Sequence, residues 1–452
     1  MSTDDTAQST PDPGLLADVI EWMGIPSIST EATDPAQLEA AAQWAADRVT
    51  AAGGSAELVR IGGGNPLVVG DLAASTGNDA PTILIYGHYD VQGPGPADLW
   101  SSPPFEPEVR DGRLYGRGSS DDKGNFLPLL RVACELKQGD ELPVNVRVLI
   151  EGEEERGSEA VSAWLQTDER GADAAIVFDS AMADERTPAI TLGLRGVVML
   201  ELRVRTAERN LHSGIYGGSV LNALHALHAI LAAVVPDPDG AVREELREGT
   251  LAPSPSELES WQRLPDAAQL FAEAGARPVS PDAAADYYRR NGAEPSLEVN
   301  RIEGGEARTV VPATAEATIS LRLAPGQDPA QMRPTLERLL REAAPEGAEL
   351  EIVPEHDATP ILFAPDDPAV QLAARALERA CGVAPALVRT GGSIPIVAEM
   401  AARGYPVIVG GFALPEDQIH GLNESFALQS LALGEAAARE LYRELAALPR
   451  RD

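Results

Sequence analysis

Lysine is almost missing from this chain. Of its 452 residues only Lys123 and Lys137 are lysine, and arginine supplies the rest of 36 basic side chains against 70 acidic ones. The formal net charge of −34 repels nucleic acid, and no basic cluster offsets it, so no nucleic-acid partner is expected. Two cysteines, Cys134 and Cys381, are too few for a disulfide framework and read as free thiols of a reducing compartment. No uninterrupted apolar run approaches the roughly 18 residues of a membrane-spanning helix, so no membrane partner is expected. The opening stretch MSTDDTAQSTPDPG has neither the basic region nor the apolar core of a secretory signal, and a cytoplasmic location is the expectation.

What the chain does hold is apolar residues: 44% of it is hydrophobic, enough at this length for more than one core. Helical spacing marks residues 14–25 and 35–54, the second stopped by paired glycines. The runs NPLVVGDL, PTILIYG, VNVRVLIEG and DAAIVFD read as strands, apolar enough to be covered by helices on both faces. The character changes after TPAITLGLRG. VVMLELRVRT alternates like a half-exposed strand and GGSVLNALHALHAILAAVV reads as an amphipathic helix. Strand–helix–strand units of this kind suggest a compact α+β domain with one solvated sheet face. The polar stretch REGTLAPSPSELESWQRLPDAAQLFAEAGARPVSPDA is too long for a bare loop and is expected to be partly helical. The expected fold is α/β: an αβα domain with a central mixed sheet, built from residues 1–194 and 356–452 and interrupted by an inserted α+β domain at 195–355.

PTILIYGHYDVQGPG ends an apolar strand on His88 and Asp90. A lone histidine beside an apolar strand is ordinarily a hydrogen-bonded structural residue. On an extended chain, however, residues two apart share a side. Asp90 can therefore reach one ring nitrogen of His88, fixing its tautomer and raising its basicity toward a metal. GRGSSDDKGNF sets Asp121 and Asp122 beside glycines, a pattern that suits an Asx-turn and helix cap as well as a ligand. VRVLIEGEEERGSEA drives an apolar strand into Glu151, Glu153, Glu154 and Glu155. Packed carboxylates repel and their pKa values rise unless cations or donors offset them, so a divalent ion suits this run better than plain solvation does.

Asp179 ends the apolar DAAIVFDS, and His420 stands in the glycine-flanked EDQIHGLNES. His88, Asp121, Glu155, Asp179 and His420 thus occupy loop positions after strands or before a helix, where one edge of an α/β sheet gathers its ligands. If one aspartate is shared, each of two divalent ions has one histidine and two carboxylates. Such ions, about 3.5–4 Å apart, leave room for a bridging water suited to hydrolysis. Glu154 is then free to take a proton from that water and pass it to a leaving nitrogen. Zinc is expected from the mixed nitrogen and oxygen donors, with manganese or cobalt compatible.

The strings GHYDVQ, GRGSSDDKG, EGEEERGS, VFDS, LHSGIYGG, RTVVP, GGSIP and HGLNES resemble, in the same order, those of the M20 family of metallopeptidases, particularly its carnosinase-like cytosolic dipeptidase branch. The resemblance runs over residues 15–448. It implies that His88 and Asp179 hold one metal ion, Glu155 and His420 the other, and Asp121 both. It further implies that Glu154 is the general acid/base, that Asp90 backs His88, and that the Asp121–Asp122 peptide is cis. The extra glutamates at 151 and 153 leave a shift of the Glu154/Glu155 assignment by one residue open. By the same resemblance the inserted domain is the lid and dimerisation domain of a homodimer. His212 of LHSGIYGG then enters the partner's site, while Thr309 of RTVVP, Arg322 of LRL and Ser393 of GGSIP bind substrate. Arg322 would clamp the terminal carboxylate with its planar fork. His225 and His228, three apart in an alanine–leucine helix, read as helix surface or interface.

The implied function is metal-dependent hydrolysis of dipeptides or short peptides bearing a free C-terminal carboxylate. The alternative is an N-acyl or N-carbamoyl amino acid amidohydrolase of the same architecture. A noncatalytic binding protein is disfavoured, because Glu154 and all five ligand positions are filled by competent residues.

Overall fold

The computed structural model of the chain describes residues 10–31, 34–77, 79–392 and 394–451. It resolves into two compact units. The first runs to Leu192 and resumes at Phe363–Leu387 and from Pro395 onward; the second comprises Gly193–Leu362 and Val388–Ile394.

The first unit is built on a mixed central sheet. Its strands lie in the order Ser55–Val59, Leu67–Leu72, Asn145–Glu151, Thr82–His88, Ala174–Phe178 and Val407–Gly410, then a strand beginning at Ala189. The middle of the sheet is parallel: Thr82–His88 runs parallel to both its neighbours, and Val407–Gly410 to Ala174–Phe178. Every residue of Ala174–Phe178 is buried, as a strand covered on both faces requires. Helices start where the sequence supplies an acceptor followed by proline. Asp12 Oδ1 accepts from the N–H groups of Gly14 and Leu15 with Pro13 at the first helical position. Asp34-Pro35, Asp328-Pro329 and Asp367-Pro368 repeat the device, which satisfies free donors while pre-setting the first turn. The last helix, Leu428–Leu445, packs on Lys123–Gln138 and Pro368–Cys381, with the Tyr442 hydroxyl donating to Leu129 O at 2.8 Å. Among the described residues no helix is long and apolar enough to cross a membrane, and both cysteines are free thiols.

The second unit is an antiparallel sheet in the order Ser296–Gly304, Thr314–Leu323, Gly196–Arg205, Glu349–Ala358. Alternate residues Val198, Leu200, Leu202 and Val204 meet Leu227 and Ile230 of helix Ala223–Ala232 and Leu336 and Leu340 of helix Pro329–Glu342. Off this core, Arg301 pairs with Glu201, Glu303 and Glu316. His225 and His228 are both exposed on their helix. The long polar stretch folds into the short helices Pro255–Trp261, Ala267–Glu273 and the start of Pro281–Ala285, and helix Tyr287–Gly292 follows it.

Val388–Ile394 joins this second unit although the chain on either side of it belongs to the first. Arg389 ties it there. Its Nε donates to Glu257 Oε1 at 2.6 Å and its Nη2 to Oε2 at 3.1 Å, while Nη1 reaches Leu251 O at 2.8 Å. Both side chains are almost completely buried, at 1% and 2% exposed. Removing one member strands the other charge in the interior. Glu257→Ala is expected to cost about 3–5 kcal/mol, read as a lower midpoint of thermal unfolding. The Glu257→Ala/Arg389→Met double variant should lose less than Glu257→Ala alone; an additive loss would show that the two side chains act separately.

Candidate metal centre

Register explains why residues far apart in the chain meet. In the parallel ladders His88 stands opposite Glu151, and Tyr86 opposite Val177, which brings Asp179, two residues on, level with His88. Asp121 arrives from the turn before helix Lys123–Gln138, Glu155 from the 3₁₀ turn Glu154–Arg156 after the Glu151 strand, and His420 from the loop before strand Ser425–Ala427. These side chains form two clusters: His88, Asp121 and Asp179, and Asp121, Glu155 and His420, each with its ligand atoms within 4.8 Å of one another. Asp121 belongs to both. Its Oδ1 is 3.0 Å from His88 Nε2 and its Oδ2 2.9 Å from His420 Nε2. Glu155 Oε2 lies 3.2 Å from His420 Nε2 and accepts from Gln92 Nε2 at 2.9 Å.

The donor set fits divalent cations. Each cluster offers one imidazole nitrogen and two carboxylates, a combination suited to zinc and its borderline neighbours. Electrostatics point the same way. Burial, then the neighbouring Asp121, raises the Asp179 carboxyl well above its usual range. Burial and Asp179 do the same to Asp122. Hydrogen bonds to Asp121 and Glu155 push His420 up to about 10. Crowded carboxylates call for positive charge, which protons or a divalent cation can supply.

Asp90 is fully buried behind His88. The ring Nδ1 lies 3.0 Å from Asp90 O and 3.4 Å from its Oδ1, so Nε2 is left to face Asp121. Asp90 also accepts from Ser29 Oγ at 2.6 Å and from the N–H groups of Glu154 and Glu155 at 3.3 Å. One carboxylate thereby orients the imidazole and anchors the glutamate turn. Of the glutamates in that run, Glu151 is buried and takes the Tyr86 hydroxyl, and Glu153 accepts from Asn65 N at 3.1 Å. The side chain of Glu154 accepts no hydrogen bond among the described residues; burial pushes its carboxyl up to about 6. The Asp121–Asp122 peptide is cis. Asp122 takes the N-cap position without a side-chain cap bond; its Oδ2 accepts instead from His88 N at 3.2 Å.

One residue escapes sequence reasoning altogether. Glu424, completely buried, accepts from the N–H groups of Gly118, Ser120 and Asp121 at 3.0, 2.9 and 3.2 Å and from Arg117 Nη1 at 2.7 Å. Gly118 can present its N–H this way because its φ of +83° is open to glycine. Arg117 Nη2 in turn holds Gly421 O at 3.1 Å and His420 O at 3.4 Å. His420, Gln418 and Asn423 all have φ near +60°, a conformation non-glycine residues keep only where surroundings enforce it.

In the second unit His212 pairs with Val310, and Ser213 N donates to Thr309 O at 3.0 Å, so the structure brings His212 and Thr309 together. The His212 ring is exposed and its Nδ1 accepts from Gly214 N at 3.0 Å. Arg322 sits half-buried on strand Thr314–Leu323 opposite Ser296 and Val197. Ser393 lies outside the described residues.

Because Glu424 organises the loop carrying Asp121 while touching none of the other ligand groups, Glu424→Gln is expected to lower divalent-cation affinity by about 10–100-fold. Competition against a chelator, with circular dichroism to verify folding, measures this. Undiminished affinity in the folded variant would show that the loop holds its shape without the carboxylate.

A family model described as peptidase family M20/M25/M40 matches residues 84–444. The chain is 31% identical over 373 residues to the cysteinylglycine-S-conjugate dipeptidase of Corynebacterium striatum, covering 79% of this chain and 80% of that protein. It is 28% identical to the Cys-Gly metallodipeptidase dug1 of Schizosaccharomyces pombe, with 91% of each covered. The crystal structure of the M20 family metallo-carboxypeptidase Sso-CP2 from Sulfolobus solfataricus superposes with a TM-score of 0.82 at 25% identity, over 96% of this chain and 99% of that one. A family match that begins inside the His88 strand and ends in the last helix takes in every residue of both clusters, and the chain belongs to peptidase family M20/M25/M40, in its dipeptidase branch, as a metal-dependent hydrolase of peptide or amide bonds.

Proposed function

We propose that the chain is a two-metal dipeptidase that hydrolyses the peptide bond of dipeptides or short peptides with a free C-terminal carboxylate. The observation that carries this reading is the sharing of Asp121, whose two oxygens face the imidazoles of different clusters at 3.0 and 2.9 Å. Held there, divalent ions would polarise the scissile carbonyl and acidify a water. The remaining work falls to the chain. Asp90 keeps Nδ1 of His88 engaged so that Nε2 points inward. Glu154, its carboxyl uncommitted and raised to about 6, takes the proton of the attacking water and delivers it to the departing amide nitrogen. Zinc is the proposed metal, with manganese or cobalt able to use the same donors. Arg322, with Thr309 and Ser393, is proposed to hold the carboxylate end of the substrate. The names of the two relatives, both dipeptidases, support peptides over acylated amino acids.

Metal analysis joined to a panel of free dipeptides, N-acyl amino acids and N-carbamoyl amino acids tests the reading. Two ions per chain and preferential turnover of the free dipeptides are expected; preference for the acylated or carbamoylated compounds would make the chain an amidohydrolase. Glu154→Gln should retain both ions yet lower turnover by about 10²–10⁴-fold, and unchanged turnover with metal bound would remove Glu154 from the mechanism.

A homodimer in which His212 completes the partner's site belongs to the same proposal. Its support is the apolar surface that follows His212, where Ile215 is 72% exposed and Tyr216, Val220 and Leu221 are exposed beside it, more than a lone surface residue would explain. Inactive His212→Ala and Glu154→Gln homodimers, mixed under conditions that exchange subunits, should form heterodimers with one intact composite site. Activity approaching half the wild-type amount is expected, and confirmed heterodimers that regain none would place His212 in the site of its own subunit.

A further inference from the structure

The buried arginines of the described chain are Arg117, Arg147, Arg195 and Arg389. Three of them face a carboxylate: Arg117 meets Glu424 at 2.7 Å, Arg147 meets Asp168 at 2.8 Å and Arg389 meets Glu257 at 2.6 Å. Arg195, 7% exposed, has no ion-pair partner among the described residues. Its Nη1 donates to Ser296 Oγ at 3.0 Å and Glu294 O at 3.4 Å, its Nη2 to Asn291 Oδ1 at 3.4 Å, and its Nε has no partner among the described residues. Neutral acceptors hold the guanidinium in place and leave its charge uncompensated, which is the costly way to bury an arginine.

A second cation lies beside it. Ser296, which Arg195 holds, is the cross-strand partner of Arg322, and Arg322 also has no ion-pair partner among the described residues. Burial, then the charge of Arg322, pushes Arg195 down to about 10, against the smaller opposing pull of Glu298 and Tyr287. Two unneutralised guanidiniums side by side are remarkable only for their setting: a chain of net charge −34 in which carboxylates are plentiful and neither arginine has taken one. The corner is also bounded by Gly391, where a Cβ would come within 2.9 Å of Arg195 Nη2 and 2.6 Å of Asn291 Oδ1, and Arg195 N donates to Thr390 O at 3.2 Å. The backbone at Thr390 and Gly391 thus lies directly on Arg195.

We propose that Arg195 and Arg322 together form a two-guanidinium site for a carboxylate, the free carboxylate of the peptide substrate, with Arg195 as a specificity-determining residue that nothing in the sequence singles out. This rests on the dipeptidase reading above. An arriving carboxylate neutralises both cations at once and offers enough lone pairs for donors from each fork. The pair also gives the substrate's carboxylate a local attraction within a strongly acidic chain.

Arg195→Met keeps an unbranched apolar stem and removes the guanidinium with its charge. In the metal-loaded enzyme the KM for a free-carboxylate dipeptide is expected to rise about tenfold or more, while the KM for the same dipeptide as its C-terminal amide rises much less. Equal losses for acid and amide, or an unchanged KM for the acid, would overturn the site. Should the methionine variant fail to fold, Arg195→Lys, which keeps a charge and loses the planar fork, is read by the same acid-against-amide comparison. A failure of the dipeptidase reading is distinguishable from a failure of the site. If no dipeptide is turned over, thermal melting with leucine against leucinamide still decides: stabilisation of the wild type by leucine alone, absent from the variant, supports the site, and no stabilisation of the wild type by leucine overturns it.

Discussion

The buried pair of Arg117 and Glu424, 2.7 Å apart, is the contact on which the candidate metal centre depends. A site that gathers Asp121, Glu155, Asp179 and the neighbouring Asp122 at one sheet edge assembles charges that repel one another. Before any cation is bound, something other than the ligands must hold their loops together. Glu424 does so for the Asp121 loop by accepting three of its N–H groups, and Arg117 does so for the His420 loop through two carbonyls. A buried ion pair is weak evidence for stability in itself, because desolvation consumes much of the Coulomb gain. Its value here is geometric. Each member spends its remaining hydrogen-bonding capacity on a different loop, so neither loop can shift without leaving a buried charge unsatisfied.

The same division of labour continues outward. Asp417, fully buried, accepts from Ser120 Oγ at 2.9 Å and Leu414 N at 2.8 Å and pairs with Arg113, bracing the Asp121 loop from its other side. Asp90 holds His88 and the Glu154–Glu155 turn. The ligand groups themselves stay free to face one another because carboxylates with no ligand role carry the load. Parallel register supplies the remaining constraint: His88 and Asp179 reach the same level because Tyr86 pairs with Val177, and each side chain projects where its buried strand gives out.

What the sequence discloses follows from this. His88, Asp179 and the glutamate run each end an unmistakably apolar strand, so their placement at the sheet edge is legible without a structure, and the Asp-Pro pairs announce several helix starts as clearly. Glu424 gives no such sign. It stands among polar residues in HGLNES, where a carboxylate is ordinarily solvated, and it is buried only because a loop three hundred positions earlier in the chain wraps around it. Its one clue is its place just before the short strand Ser425–Ala427 and four residues after His420. The two aspartates at 121 and 122 are a different case. Cap and ligand readings look alike in sequence, and the structure separates them only by where Asp122 sends its oxygens. The attachment of Val388–Ile394 to the second unit is hidden for the same reason as Glu424, since the ion pair of Arg389 with Glu257 joins residues whose spacing carries no period.

The scarcity of lysine acquires a physical sense beside these contacts. The positive charges buried here with acidic partners, Arg117, Arg147 and Arg389, each bond a carboxylate and one or more carbonyls at once, which a planar guanidinium can do with little reorganisation and an ammonium cannot. Lys123 is the exception, and it occupies a different kind of site. Its Nζ donates to Trp22 O at 2.9 Å and Ile25 O at 2.8 Å, at the end of helix Pro13–Met23, where the helix dipole favours a compact cation. Burial still pushes its pKa down to about 7, because carbonyl dipoles do not replace a counter-ion. Arg195 lives under the same deficit. A guanidinium starts from a much higher pKa than an ammonium, so the penalty that brings Lys123 close to neutrality leaves Arg195 charged. Of the two cations held by neutral acceptors alone, the arginine is therefore the one that stays charged, as the proposed carboxylate site needs.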